Sequence, residues 1–322
     1  MEPAISVVIP TFRRPALLNK CLQALSRQSL SQEQYEVIVV SDGPDKDTAA
    51  AVQVWSSQGW PFGCRALAGK GGPAAARNAG WQQARGVLVA FTDDDCMPEP
   101  GWLQAILNHY KGEQYIAYSG RIIVPVCARP TDFERNTQGL ERAAFVTANC
   151  VCTKAALQEV GGFDEAFTMA WREDSDLEFK LLQQAIPVIR LEAAVVVHPV
   201  REAPWGVSVK EQKKGMFNAL LYKKYPRLYR QKIQSHPPFN YYAIIVAVVL
   251  FIVGMVFSRP WLSALGGTVW LLLTVEFIAR RLAHASRSPK HVMEMIATSL
   301  VIPFSSVFWQ VYGSYRYRVF FI

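Results

Sequence analysis

In the first hundred positions, short apolar runs alternate with stretches whose apolar residues recur at helical spacing. Ile5-Ser-Val-Val-Ile9 is apolar and β-branched and closes at Pro10, the pattern of a buried strand. Leu17, Leu18, Cys21, Leu22 and Leu25 repeat at helical spacing over 15–28, and Pro15 suits a first helical turn. Glu36-Val-Ile-Val-Val40 predicts a second buried strand, ending at Ser41-Asp42-Gly43. A helix over 47–55, a glycine break over 69–72 and an Ala-rich helix over 73–85 follow. A third strand over 87–91 then runs directly into Thr92-Asp93-Asp94-Asp95. This alternation predicts right-handed crossovers and a parallel sheet, an α/β fold. Ligands of such sheets sit outside the carboxyl ends of the strands, where Asp42 and the 93–95 cluster both fall. Later in the chain the signal weakens to strands over 115–126 and 195–198 and helices over 153–160 and 175–184.

From about Phe239 the pattern changes to three long apolar stretches, 239–257, 261–279 and 292–312. Nineteen helical residues span about 28 Å, just enough for a hydrocarbon core of about 30 Å. Only Ser258-Arg259-Pro260 separates the first two, which predicts a tight helical hairpin. Pro303, Ser305 and Ser306 interrupt the third, leaving it either a third span or a re-entrant or interfacial helix. Three such runs so close together weigh against buried helices of a soluble protein. The organisation expected is therefore an α/β domain over 1–200, a basic amphipathic juxtamembrane segment over 201–238 and a membrane region over 239–322.

Composition alters this picture mainly through where the charge lies. The 322 residues are 51% hydrophobic and 19% charged, which fits a folded chain and excludes disorder. The net charge of +8 is concentrated. Lys210, Lys213, Lys214, Lys223, Lys224, Arg227, Arg230 and Lys232 crowd the stretch before the first apolar run, and Arg280, Arg281, Arg287 and Lys290 follow the second. The positive-inside rule puts both groups at the cytoplasmic face of an inner membrane, with the 1–200 domain facing the cytoplasm. Val209, Met216, Phe217, Leu220 and Leu221 give 205–232 an apolar side expected to lie along the membrane surface. No recognition motif accompanies the basic patch, so nucleic acid is not an expected partner. The six cysteines are scattered, and Cys150-Val-Cys152 lacks zinc-site or redox spacing, so they read as reduced thiols. No basic region precedes an apolar stretch at the N-terminus, so no signal peptide is expected.

The chemistry starts at Asp93-Asp94-Asp95. Carboxylates this close repel, and burial raises their pKa unless a cation compensates. Hard Mg²⁺ or Mn²⁺ does so with oxygen ligands shared with substrate phosphates. In a strand or tight turn residues i and i+2 point the same way. Asp93 and Asp95 thus converge on one ion, or on an ion plus a ribose, with Asp94 turned away from it.

Six motifs stand in order along the chain: Val8-Ile-Pro-Thr-Phe12, Val39-Val-Ser-Asp-Gly43, Gly72-Pro-Ala-Ala-Ala-Arg-Asn-Ala-Gly80, Phe91-Thr-Asp-Asp-Asp-Cys96, Gly161-Gly-Phe-Asp-Glu165 and Arg172-Glu-Asp-Ser-Asp-Leu177. Together they resemble the inverting family-2 glycosyltransferases over roughly residues 4–200. The resemblance implies a GT-A, Rossmann-like fold for a nucleotide-diphosphate sugar. It implies a donor site at Pro10, Thr11, Asp42, Arg77, Asp93 and Asp94. Asp42 there reads a base edge, and a carboxylate at a strand end can accept from a uracil or guanine N–H. Arg77 stands near base or phosphate, its planar fork suiting either; an ordinary charge on an Ala-rich helix is the plain alternative. Asp93 and Asp95 match the metal and ribose aspartates, and His198, at the end of a β-branched run, stands where some relatives place a metal-binding histidine. The Glu173-Asp174 pair matches the family's catalytic base, best at Asp174 with Glu173 in reserve. Asp176 and Glu178 read as plain acids favoured near a helix N-terminus.

Processive synthases of that family carry Gln-x-x-Arg-Trp after the base, and this chain has none. The expectation is transfer of a single sugar from a UDP-, GDP- or TDP-sugar to the hydroxyl of a lipid-linked or glycan acceptor at the membrane, in cell-envelope polysaccharide or glycolipid synthesis. Two alternatives stay open: a polyprenyl-phosphate acceptor, already ionised, and a non-catalytic membrane scaffold that keeps the fold.

Overall fold

The structure, a computed structural model, describes residues 2–321. It divides into two compact units. The first comprises the residues up to Pro125 together with Gln138–Val200; the second comprises Val126–Thr137 and the residues from Arg201 on.

The first unit holds strands β1 (Ile5–Thr11), β2 (Tyr35–Ser41), β3 (Phe62–Ala66), β4 (Leu88–Phe91), β5 (Met97–Pro98), β6 (Ala117–Ile123), β7 (Cys150–Thr153) and β8 (Val188–Val197). They form one sheet in the order β3-β2-β1-β4-β7-β6-β8-β5. The four strands β3, β2, β1 and β4 are mutually parallel, and the alternating pattern predicts β1, β2 and β4 among them. Beyond them β7 runs antiparallel to both β4 and β6, and β5 antiparallel to β8, so the sheet is mixed rather than parallel throughout. Cys150-Val-Cys-Thr153 is too short, and β3 too exposed with only Phe62 buried, to register as strands in the pattern.

Helices α1 (Pro15–Leu25), α2 (Lys46–Ser57), α3 (Pro73–Trp81), α4 (Trp102–His109), α6 (Lys154–Val160) and α7 (Glu173–Gln183) belong to this unit, whereas α5 (Asp132–Gln138) lies mostly in the second. α3 is shorter than its Ala-rich composition predicts, and it packs against β1 almost backbone to side chain. A Cβ added to Gly80 would lie 2.4 Å from Val8 Cγ1 and 3.2 Å from Val40 Cγ2. We expect Gly80→Ala to destabilise the unit by about 1–3 kcal/mol through overpacking. The check is a lowered melting temperature of the purified protein, and an unchanged one would contradict the close approach. Around α3 the core joins Val8, Trp81, Val89, Cys150, Cys152, Leu157 and Leu177, with Phe91 and Phe163 meeting edge to face at 5.1 Å.

The second unit contains α8 (Val207–Glu211), α9 (Met216–Lys224), α10 (Pro226–Lys232), α11 (Phe239–Val256), α12 (Pro260–Leu282) and α13 (Pro289–Tyr317). The last three are long and apolar enough to cross a membrane, with mean hydropathies of 2.4, 1.7 and 1.5 over an 18-residue stretch of each. α11 and α12 touch backbone to backbone at small residues. A Cβ on Gly254 would lie 2.5 Å from Ser263 N, and one on Gly266 2.5 Å from Phe251 N.

Two expectations change here. The third apolar stretch is not interrupted: α13 runs through Pro303 as one helix of 29 residues. An apolar helix tolerates an internal proline where neighbouring groups satisfy the freed backbone. The basic stretch 205–232 is not one helix with a free apolar side. It is cut into α8, a 3₁₀ turn over Gln212–Gly215, α9 and α10, and Met216, Phe217, Leu220 and Leu221 are buried. α13 covers them. A Cβ on Gly313 would lie 2.5 Å from Met216 O, Phe217 faces Tyr317 at 6.4 Å, and Lys223 Nζ donates to Tyr317 O at 2.8 Å. Arg281 is likewise not a free loop charge. It lies in α12, buried, and donates to Asp132, to Ser208 and to Thr298 and Ser299 of α13.

Candidate active site

The parallel half of the sheet delivers its acids to one rim. The Asp42 N–H donates to Thr11 O at 2.8 Å, tying the end of β2 to the end of β1. Asp42 Oδ1 then accepts from the N–H groups of Gly71 and Gly72, at 2.6 and 2.9 Å, and so shapes the loop before α3. Gly72 has φ +93°, and a Cβ there would lie 2.6 Å from Thr168 O, so only glycine lets this loop lie against the segment that precedes α7. Phe12, beyond β1, has the Lys70 ammonium 4.2 Å and the Arg13 guanidinium 5.3 Å from its ring centre. Neither cation was singled out in the sequence.

The three aspartates after β4 part company. Asp94 is 1% exposed and accepts the Thr11 hydroxyl at 2.6 Å, with Arg14 Nε 3.2 Å away. Burial pushes its pKa up to about 6, against the pull of Arg14 and Thr11. Asp94, which the sequence reading also placed in the donor site, is turned from the rim as expected and exposes almost no surface. Pro10 is equally buried, inside β1. Asp93, by contrast, keeps 28% of its side chain exposed. The ligand atoms of Asp93, Asp95, His198 and Cys96 all lie within 4.8 Å of one another. His198 Nε2 is 3.9 Å from Asp95 Oδ1, and the His198 N–H donates to Ile123 O, which fixes the residue just past β8. Sequence reasoning named Asp93, Asp95 and His198 as one set and missed Cys96, treating it as one more buried thiol.

Arg77 is no surface charge. It is 2% exposed, and its guanidinium donates to Asp93 at 2.7 Å and to Glu173 at 3.1 Å, above the Phe163 ring at 5.7 Å. The fork joins the acidic rim to the first turn of α7. Burial alone would raise the Asp93 pKa, but Arg77 and His198 outweigh it and hold the group below the usual carboxylate range. Glu173 goes the other way: burial raises it despite Arg77. Asp174 is raised as well, by burial against its contacts with the Ser175 N–H and with Arg172.

Asp174 stands half-buried in the first turn of α7, accepting from the Ser175 N–H at 2.6 Å. The residue that caps this turn, Arg172, adopts φ +75°, and its guanidinium lies 4.6 Å from the Trp171 ring centre. A left-handed arginine is strained by its Cβ, and such strain concentrates at functional sites. Asp176 shares the first turn but is fully buried, 3.4 Å from Lys180 Nζ, and Glu178 is buried too. A second tie holds the site's back wall. Asn78 donates to Phe163 O and Glu165 and accepts from the Phe163 N–H, and Gly162 at φ +65° leaves room for Asn78 and Trp81. The Gly72–Gly80 and Gly161–Glu165 motifs are thus two halves of one contact.

The sequence profile of glycosyl transferase family 2 matches residues 6–157. The chain carries a family 2 glycosyltransferase domain. The fold agrees: the mannosyltransferase of Pyrobaculum calidifontis, in complex with GDP-Man and Mn²⁺, superposes with a TM-score of 0.55 over 98% of this chain and 85% of that one, at 16% identity. The glycosyltransferase domain is therefore of GT-A type, followed by three long apolar helices. Glycosyltransferase AglE of Haloferax volcanii is 33% identical over 110 residues, 34% of this chain and 36% of that protein. A GalNAc(5)-diNAcBac-PP-undecaprenol beta-1,3-glucosyltransferase of Campylobacter jejuni is 32% identical over 103 residues, 29% of this chain and 30% of that protein. The chain spans about a third of the length of these two relatives.

Proposed function

We propose that the protein is an inverting glycosyltransferase that moves one sugar from a nucleotide-diphosphate sugar to the hydroxyl of a membrane-held, lipid-linked or glycan acceptor. The observation that carries this is the Arg77 fork, which fixes Asp93 of the acidic rim and Glu173 of the base motif on one guanidinium. Donor-binding and base residues from distant parts of the chain thereby share one rigid support. The relatives support the substrate class: one neighbour holds GDP-Man, and one relative is named for a PP-undecaprenol acceptor.

In this reading Asp42 and the loop it holds receive the nucleoside. Asp93, Asp95 and His198 fit a divalent cation, since two carboxylates and an imidazole converge there and Asp93 remains accessible. Mg²⁺ or Mn²⁺, when bound, supplies positive charge that offsets the leaving diphosphate. Asp174 takes the proton of the acceptor hydroxyl while its oxygen attacks the anomeric carbon from the face opposite the diphosphate, which inverts the configuration without a covalent enzyme intermediate. Arg77 keeps Asp93 ionised and holds Glu173 beside the base. The three apolar helices keep the enzyme at the membrane, and the basic residues of 210–232 and 280–290 support a cytoplasmic side for the catalytic unit.

The test is a calorimetric donor screen of the full chain with Mg²⁺ and Mn²⁺, followed by mass analysis of lipid-extracted product. The expected outcome is cation-dependent binding of a UDP-, GDP- or TDP-sugar and a product one sugar heavier than the acceptor lipid. Donor binding and turnover indifferent to chelator would overturn the cation reading. Nucleotide binding with no transfer across a broad acceptor panel would favour a non-catalytic scaffold.

A further inference from the structure

The rim cluster contains one donor that the reaction above does not use. Cys96 is wholly buried, and its sulfur lies within the same 4.8 Å of the Asp93 and Asp95 carboxylates and the His198 imidazole. Its backbone explains the placement: the Cys96 N–H donates to Asp93 O at 3.1 Å, closing a turn that folds 93, 95 and 96 around one point. Of the four buried cysteines, Cys150 and Cys152 belong to the apolar core and Cys21 to α1, and Cys96 alone belongs to a group of potential metal ligands.

We propose that Cys96 is a ligand of the cation held at this rim, giving a mixed oxygen, nitrogen and sulfur site that prefers a thiophilic cation of the Co²⁺ or Zn²⁺ class to Mg²⁺. The inference rests on the reading of Asp93 and Asp95 as cation ligands and adds the residue that sets the choice of cation. Two carboxylates are the donors of a hard-ion site and bind Mg²⁺ and Mn²⁺ alike in kind. A soft sulfur changes this, because it bonds well to Co²⁺ and Zn²⁺ and poorly to Mg²⁺. Two carboxylates, one imidazole and one thiolate also supply the four protein ligands that such cations take. Coordination replaces the S–H bond with an S–metal bond and releases one proton to solvent.

The experiment uses the full chain in detergent, reduced, with no nucleotide, and the metal ions alone as probes. Titration with Co²⁺ is expected to raise a sulfur-to-cobalt charge-transfer band that saturates in the native protein, is lost in Cys96→Ser and persists in Cys21→Ser. Zn²⁺ is expected to abolish the band at far lower concentration than Mg²⁺. By calorimetry Cys96→Ser is expected to weaken Co²⁺ binding by about tenfold or more and to change Mg²⁺ binding by less than about twofold. Co²⁺ binding without the band, or with a band that survives Cys96→Ser, overturns the proposal and leaves the cation reading standing. No binding of either cation by the native protein overturns both. Should Cys96→Ser and Cys96→Ala both fail to fold, X-ray absorption of the Zn²⁺-loaded native protein decides: a sulfur scatterer at about 2.3 Å supports the proposal, and a shell of oxygen and nitrogen only overturns it.

Discussion

Asp174→Asn is expected to lower sugar transfer by about 100- to 10,000-fold while leaving nucleotide-sugar binding unchanged, the range that a positioned general base contributes. The substitution is close to isosteric. The asparagine carbonyl can still accept from the Ser175 N–H, now 2.6 Å from Asp174 Oδ1, so the first turn of α7 keeps its structure. What goes is the ability to take a proton. The same burial that raises the Asp174 pKa makes it a stronger base than a solvated aspartate. The acid limb of the pH–rate profile should accordingly lie above the ordinary carboxylate range, with activity falling as pH drops through the raised value and the base becomes protonated. The Asn variant should show no such limb in its residual rate. Glu173→Gln should cost less, since Glu173 faces Arg77 and is buried rather than open to an acceptor. Single-turnover rates with donor in excess read the chemical step directly. Near-native turnover in a folded Asp174→Asn protein would rule out Asp174 as base and turn the reading toward a phosphate acceptor, which is already ionised.

Much of this site is legible before any coordinates, because its acids terminate strands with strong apolar runs. β1, β2 and β4 are short, apolar and buried on both faces, so Asp42 and Asp93 sit at strand ends that the pattern marks. What the pattern hides are contacts made across the fold. Arg77 lies in Pro-Ala-Ala-Ala-Arg-Asn, a composition equally suited to an exposed helix, and only packing against Phe163 and two acids reveals it as buried. Asp94 differs from Asp93 and Asp95 solely in facing Thr11 and Arg14, which no local rule distinguishes. Cys96 reads as a small core hydrophobe until His198 arrives from about a hundred residues further on. The basic segment misleads for the converse reason: its apolar side is real, but α13 covers it. Periodicity reports that a face must be buried and says nothing of which element buries it.

Arg77→Met is expected to destabilise the protein by about 3–5 kcal/mol at neutral pH, the cost of leaving buried charge without its partner. A methionine fills much of the arginine's volume, so the loss is electrostatic rather than a cavity. Arg77 lowers the pKa of both acids, but their net shifts differ because burial wins at Glu173. The Asp93 pKa is depressed in the folded state, so its contribution is present above its unfolded value and lost as pH falls. The Glu173 pKa is raised, so its contribution is present below its unfolded value and lost as pH rises through the folded one. Removing the guanidinium abolishes the first contribution and pushes Glu173 further up, so both changes penalise the variant where the two carboxylates are charged. The gap in melting temperature between native and variant protein should therefore be widest near neutrality and narrow as pH falls into the carboxylate range. Adding Glu173→Gln to Arg77→Met removes the buried charge and should recover part of the loss, a coupling that two independent sites would not show. Equal melting curves at neutral pH, or a gap that does not change with pH, would mean that the fork between the rim and α7 holds nothing together. Activity separates this from simple destabilisation: at a temperature where the variant is fully folded, loss of the fork should still weaken cation-dependent donor binding, because Asp93 loses the neighbour that keeps it ionised and in place.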